Sequence, residues 1–365
     1  MVSQILFVLK TANGNADDIA ELTNVKNIRD KWMSKMMVER RPGTVMAYLS
    51  SLQAFYKYAI TDQVFVKRIS QETLIECVNR VNHWQKSNRK VLSRRKWEKR
   101  IEDGQKLAKA DDFIQFDSSE PVRAAIKMIA SFTASSKAVK KYEYTLVRDY
   151  IITSLCMDNA SRTGAIANMR LEEVGRAEKS GDSMLITVLD HKTLETSGPA
   201  ILALPVATFN YLDIFLNKMR SQIDIDNECE EFCFLSWNGK RMNSSNISEQ
   251  LKNFWKNATG KPMNAALMRK SCVSQVHHTR PDMKVKVADH MCHSVKTAEN
   301  YYCITEKKSA SAGITIFLTY SSAYPLIHPN TNYMCYLTFS SGISFWSAKG
   351  KKLGQQDDCK SSGLK

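Results

Sequence analysis

The fifteen residues ADHMCHSVKTAENYY, at 288–302, hold two histidines, a cysteine and a tyrosine pair. Side chains of these types can bind a metal, or serve a covalent step in which a tyrosine oxygen attacks phosphorus among positive charges. The metal reading would use His290, Cys292, His293 and Cys303. Their spacing matches none of the paired zinc patterns, and Cys229 and Cys233 lack a second pair, so no metal is expected. The covalent reading needs His293 and Tyr302 at one place. An unbroken helix puts residues nine apart on opposite faces, so a bend after His293 is required, with Thr297 as the cap of a new helix.

Three other patches carry polar residues that a phosphate-handling site needs. In NASRTGAIANMRLEEV, Arg162 follows an apolar run and sits beside Gly164, where its fork can place two donors on phosphate oxygens. Alone it reads equally as a surface arginine. In DHKTLETSG, Lys192 lies in a hairpin and can protonate a leaving oxygen, though a solvated turn lysine is the plainer reading. In NAALMRKSCVSQVHH, Arg269 sits on an amphipathic pattern, and His277 and His278 read as surface residues.

The chain must position these groups over 365 residues, enough for two domains. Its 52 Lys and Arg against 37 Asp and Glu leave a net charge of +15 and point to a polyanionic partner, nucleic acid before a membrane surface. Nine irregularly spaced cysteines argue against a disulfide framework and for reduced thiols. The apolar run Ile5–Leu9 has no charged region before it and no small-residue cleavage site, and no run is long enough to span a bilayer. The protein is expected not to be secreted and to make no membrane contact: nuclear if eukaryotic, otherwise cytoplasmic.

Residues 1–110 read as helical. In RPGTVMAYLSSLQAFYKYAI, Val45, Leu49, Leu52, Phe55 and Tyr56 recur at helical spacing and predict a core stripe. Between Lys86 and Arg100 stand eight basic residues, Lys86, Arg89, Lys90, Arg94, Arg95, Lys96, Lys99 and Arg100, with one acid. With Trp84 and Trp97 nearby, this run reads either as a solvated face or as a phosphate-contacting one. Residues 111–120 read as a linker. Residues 121–308 form a second, mostly helical domain with a small β-sheet, in which SMLITVL and PAILALP make a hairpin around DHKTLETSG. From Ser309 to Ala348 there is no charged residue. Residues 309–365 are expected to be an atypical tail, disordered or the product of a misjoined gene, and dispensable for DNA binding.

Taken in order, Arg162, Lys192, Arg269, His293 and Tyr302 resemble the catalytic set of the tyrosine recombinases, the phage-integrase-like family. SRTGAIANMRLEEV resembles the first arginine box, DHKT the hairpin lysine, ALMRKS the H-x-x-R box, and HSVKTAENYY the closing H-x₈-Y box. The stretch RPGTVMAYLSSLQAFYKYAI is similar to the helical core-binding domain that precedes the family's catalytic domain. In style the chain is closest to the eukaryotic, Crypton-like members carried by mobile elements. Two positions depart from the pattern: Ala266 stands where the family usually has the box histidine, and Ala165 where an acidic residue commonly follows the first arginine.

The resemblance implies a mainly α fold with a small β-sheet (α+β), closing as a clamp on double-stranded DNA and acting as a homo-oligomer on it. It implies DNA recombination or integration without a cofactor. Tyr302 would attack the scissile phosphate, forming a 3′-phosphotyrosine and expelling a 5′ hydroxyl. Arg162, Arg269 and His293 would stabilise the non-bridging oxygens, and Lys192 would protonate the leaving oxygen. Ala266 and the tail favour a second reading, a domesticated DNA-binding protein that has lost turnover. A third is a type IB topoisomerase-like nicking and closing enzyme.

Overall fold

Capping chemistry and apolar periodicity lay out the helices in turn. In the computed structural model, residues 1–14, 18–62, 69–134, 137–303, 337–339 and 342–344 are described. Pro42, whose missing N–H is harmless in a first turn, opens the helix Pro42–Thr61. The side chain of Ser70 accepts from Thr73 N at the start of Gln71–Ser87. Val45, Leu49, Leu52 and Tyr56 are all buried, and Phe55 packs against the same cluster, as their spacing predicts. The helix Val2–Asn13 adds Ile5, Val8 and Leu9 to this core, so the short apolar run of the N-terminus is packing surface. Each large apolar side chain fully buried here stabilises the bundle by roughly 1.5–3 kcal/mol.

Residues Met1–Thr305 make one compact unit with more than one apolar cluster. The first cluster runs from Ile5 to Trp84 and the largest from Phe116 to Cys292. The segment read as a linker carries a helix, Ala110–Asp117. Its period brings Phe113 and Phe116 onto Trp255, the latter stacked at a centroid distance of 5.3 Å. The acids Asp111 and Asp112 in its first turn suit the helix dipole, which explains why a polar segment folds.

The second half is built on the buried helix Lys141–Asn159, which contacts the helices Glu120–Ala134 and Ser244–Thr259. Beside it lies an antiparallel sheet of β1 (Glu178–Ser180), β2 (Ser183–Val188) and β3 (Ala200–Pro205), in that order. The β2–β3 pair is the hairpin seen in the sequence, in a register that pairs Ile186 with Leu202. β1, three exposed residues without an apolar pattern, is legible only from its pairing. The architecture is mainly α with one small β-sheet in this unit, the α+β class expected. In the second unit, Glu306–Lys365, the described residues are an antiparallel pair, β4 (Leu337–Phe339) and β5 (Gly342–Ser344). The rest of the segment read as a tail lies outside the described residues. No helix among the described residues is long and apolar enough to cross a membrane.

One carboxyl pair loads this framework. Desolvation by the surrounding protein, then the neighbouring Asp117 charge, push the Asp158 carboxyl up to about 6, although both residues are exposed. A carboxyl whose folded-state pKa is raised favours folding while protonated and opposes it once ionised. Stability is therefore expected to fall as pH rises from about 4 to above 6. Asp158→Asn should raise stability at pH 7.5 by ~1 kcal/mol, a figure reduced for the water that still reaches the side chain. Thermal melts from pH 4 to 8 test this: the variant's advantage over the parent should grow across that range.

Candidate active site

The site gathers where the helix Lys284–His290 breaks. The two residues that follow it turn their carbonyls to arginines. Arg162 Nη1 donates to Cys292 O at 3.2 Å, and Arg269 Nη2 donates to Met291 O at 3.3 Å. Cys292 adopts a left-handed conformation, φ 50°, which turns the chain out of the helix. His293 follows directly, with its backbone N–H on Ala288 O at 3.1 Å. Cys292 turns the chain out of one helix and the required break after His293 follows at Ser294, extended at φ −71° and ψ 152°, so no helix runs unbroken from His293 to Tyr302. The cap of the next helix, Val295–Thr297, is Ser294, whose side chain accepts from Thr297 N at 3.2 Å, and not Thr297. Thr297 occupies the third position of that helix and supplies the N–H.

Arg269 is 3% exposed, on the helix Ala265–Thr279. Its Nη1 also donates to Ala160 O at 2.6 Å. Ala160 ends the helix Lys141–Asn159 in a left-handed conformation, φ 44°. Ala160 and Cys292 are the two non-glycine residues with positive φ among those described, and each turns a carbonyl to one of the two arginines. Strain held at two such points is characteristic of a functional site. A β-branched residue fits a positive φ poorly. Ala160→Val is expected to lower stability by ~2 kcal/mol and to loosen Arg269, whereas Ala160→Gly should fold normally. Thermal denaturation of the two variants checks this.

The lysine turn is tied to Arg162. Arg162, at the start of the helix Thr163–Asn168, donates to Thr193 Oγ1 at 2.9 Å. His191 Nε2 lies 2.9 Å from Gly198 O, which fixes its proton there and leaves Nδ1 as acceptor, 3.4 Å from Thr193 Oγ1. Lys192, between His191 and Thr193, is exposed in a turn four residues past β2 and lines the cleft. Asn168 Nδ2 donates to Asp190 O at 2.9 Å, and buried Glu173 accepts from Leu189 N at 3.0 Å, anchoring the turn's leading edge. Sequence reasoning missed Thr193 and His191 as positioning residues, although both belong to the DHKT segment that supplies Lys192.

These groups wall a cleft of about 320 Å³. Arg162, Lys192, Arg269, His191 and His290 line it, and no carboxylate is among the described residues that do. Burial, then the charges of Arg269 and Arg162, hold the His293 imidazole below its ordinary range. Desolvation along the cleft wall likewise lowers His290, an exposed residue, against the raising effect of the Asn159 backbone, with Arg269 adding to the lowering. Both rings are thus neutral at pH 7. A small cleft with several cations, neutral imidazoles and no acid is suited to one anion with oxygen acceptors. Of Tyr302 the structure describes the backbone, which closes the short helical stretch Ala298–Tyr302. Ala298 packs with Ala160, Val273 and Met291, tying that stretch to the helix of Arg269. His277, read as a surface residue, is 4% exposed: it lies on the inner face of Ala265–Thr279, while His278 is exposed.

The eight basic residues of the N-terminal half divide into two groups. Lys86, Arg89 and Lys90 are exposed and make no ion pair among the described residues. Arg94 and Arg95 pair with Glu98, Arg95 also with Glu102, and Lys99 with buried Asp103. Arg100 turns to the other half, donating to Asn300 O at 3.0 Å, Glu299 O at 3.2 Å and Cys303 O. Lys96 is exposed on the same helix, Arg89–Gly104. Burial alone would raise the Asp103 carboxyl, but Lys270 and Lys99 hold it below its ordinary value.

Comparison with known proteins gives the following. No family model matches the sequence, and no curated protein matches it. Among solved structures, the chain is similar to XerA recombinase at 15% identity, covering 89% of this chain and 99% of that one, with a TM-score of 0.37. It is also similar to the XerH site-specific recombinase in a post-cleavage complex with a palindromic difH substrate, at 11% identity, 87% and 90% coverage and a TM-score of 0.45. A third is a dimer of lambda integrase residues 75–356 bound to a COC′ core site, at 12% identity, 84% and 95% coverage and a TM-score of 0.39.

Proposed function

We propose that the protein is a tyrosine recombinase, cleaving and rejoining duplex DNA through a phosphotyrosine. The observation that carries this is the convergence of Arg162 and Arg269 on successive carbonyls just before His293, in a cleft with no carboxylate among its described lining residues. Tyr302 gives its phenolic proton to solvent and attacks the scissile phosphorus. The new bond joins its oxygen to the 3′ phosphate, and the bond to the 5′ oxygen breaks, that oxygen taking a proton from Lys192. Donors of Arg162, Arg269 and His293 face charge that grows on the non-bridging oxygens, the largest single effect in such steps. Attack by a 5′ hydroxyl reverses the sequence and joins the strands. Residues 1–110 form the core-binding domain and residues 121–308 the catalytic one. They clamp the duplex in a homo-oligomer, and in a eukaryotic cell the protein works in the nucleus on a mobile element.

Ala266 favours one other reading, a DNA-binding protein of the same fold without turnover, because its exposed methyl lines the cleft without a polar group. A suicide duplex, nicked so that the 5′ hydroxyl diffuses away, separates the two. A covalent protein–DNA adduct on denaturing gels supports the recombinase; specific binding without an adduct supports the other reading.

The basic run gives a graded test of binding. Lys86, Arg89 and Lys90 are exposed and would meet phosphates, whereas Arg94, Arg95, Lys99 and Arg100 have partners in the protein. Neutralising the first three together is expected to weaken binding to all sequences alike and to flatten the slope of log K against log salt by roughly 2.7, about 0.9 for each phosphate contact. Binding titrations between 50 and 200 mM salt, on the order used to read such slopes, measure it.

A further inference from the structure

The cleft holds a histidine that the catalytic set above does not use. His290 is the last residue of the helix Lys284–His290, directly before Met291 and Cys292, whose carbonyls are gripped by Arg269 and Arg162. Those two hydrogen bonds fix its backbone relative to both guanidinium groups. Its side chain lines the cleft beside Arg269 and rests against the backbone of Asn159. One turn before Arg269 on the helix Ala265–Thr279, Ala266 lines the cleft with a methyl group. That helix therefore offers the cleft no polar side chain besides Arg269 among the described lining residues, whereas Lys284–His290 offers His290.

We propose that His290 is a catalytic residue that donates a hydrogen bond to a non-bridging oxygen of the bound phosphate, supplying from the end of the helix Lys284–His290 the polar contact that Ala266 cannot make. This rests on the phosphate reading of the cleft. Arg269 acts on the ring directly, and Arg162, Lys192 and Cys292 line the same cleft, with no carboxylate among the described lining residues. In that surrounding a neutral imidazole is the stable form before phosphate binds, its one N–H turned to the Asn159 backbone, so it adds no fourth positive charge to the cleft. The charge of the bound phosphate draws the ring towards its protonated form, whose second N–H makes the proposed hydrogen bond, which strengthens as charge grows in the transition state.

Two measurements on the full chain test this. The first uses histidine-labelled protein, with His290→Gln to assign the His290 signal by NMR. Inorganic phosphate in the millimolar range should raise the pH at which that signal titrates. A signal unmoved by saturating phosphate, or a shift equal to that of exposed His278, overturns the proposal. The second is trapping on the suicide duplex. His290→Ala should lower the trapping rate by about a hundredfold, the range for a positioned proton-handling group. His290→Gln should keep more of the rate than His290→Ala, and adding Ala266→His to His290→Ala should recover at least about tenfold. Trapping by His290→Ala at the parent rate, in a variant with a parental melt, overturns the proposal. If the parent itself forms no adduct, the recombinase reading fails, and the phosphate titration still decides whether His290 is an anion ligand.

Discussion

Tyr302→Phe is expected to eliminate the covalent DNA adduct, a loss of about 10³-fold or more in trapping rate, because the variant has no nucleophilic oxygen. Duplex affinity should stay close to that of the parent, since the phosphate-facing cations are untouched. Tyr301→Phe is the control and should retain the adduct. Its residue is eight from His293, while Tyr302 is nine away and matches the family's closing box. The backbone around the pair is fixed by neighbours independent of both tyrosines: Arg100 holds the carbonyls of Glu299 and Asn300, and Cys303 N donates to Ala298 O at 3.0 Å. Phe at either position therefore leaves the turn intact, and the comparison reads chemistry. An adduct from Tyr302→Phe and none from Tyr301→Phe would move the nucleophile to Tyr301.

Arg269→Ala should have the largest effect on the fold of any single change in the site. The buried guanidinium joins Ala160 O, at the end of one helix, to Met291 O, at the end of another. Its loss leaves two buried carbonyls without donors, at an expected cost of about 3 kcal/mol. For a domain of this size that corresponds to a fall in Tm of roughly 6–12 °C. Trapping should fall by about 10²–10³-fold beyond what the unfolded fraction explains, as for other donors to developing oxyanions. Arg269→Lys should restore part of the stability and little of the rate, because an ammonium cannot fork between the two carbonyls and still reach the phosphate. Arg162→Ala should be milder for folding, since its guanidinium is only half-buried and Thr193 has His191 as a second partner. Melts and trapping rates on the same preparations separate stability from catalysis. Equal Tm values for Arg269→Ala and the parent would contradict the bridging role.

Most of the secondary structure is legible in the sequence, because its causes are local. The stripe from Val45 to Tyr56, the proline at the start of its helix and the β2–β3 hairpin all follow from residues within a few positions of one another. The boxes around Arg162, Arg269 and His293 are read in the sequence by their resemblance to a family's, and the mismatch of nine residues between His293 and Tyr302 with the helical period demands a bend. What the sequence cannot contain is the identity of a distant carbonyl. Every residue carries the same backbone oxygen, so nothing in the sequence marks Ala160, Met291 and Cys292 as the acceptors that hold the arginines. Tertiary packing makes that choice, and with it places the turn at Cys292. It also decides that Ala110–Asp117 folds onto Trp255 and that His277 turns inward. In the basic run, the sequence fixes the charge but not its direction. Arg95, Lys99 and Arg100 find partners within the protein, leaving Lys86, Arg89 and Lys90 to face solvent, because only the packed helices determine which acids and carbonyls lie within reach.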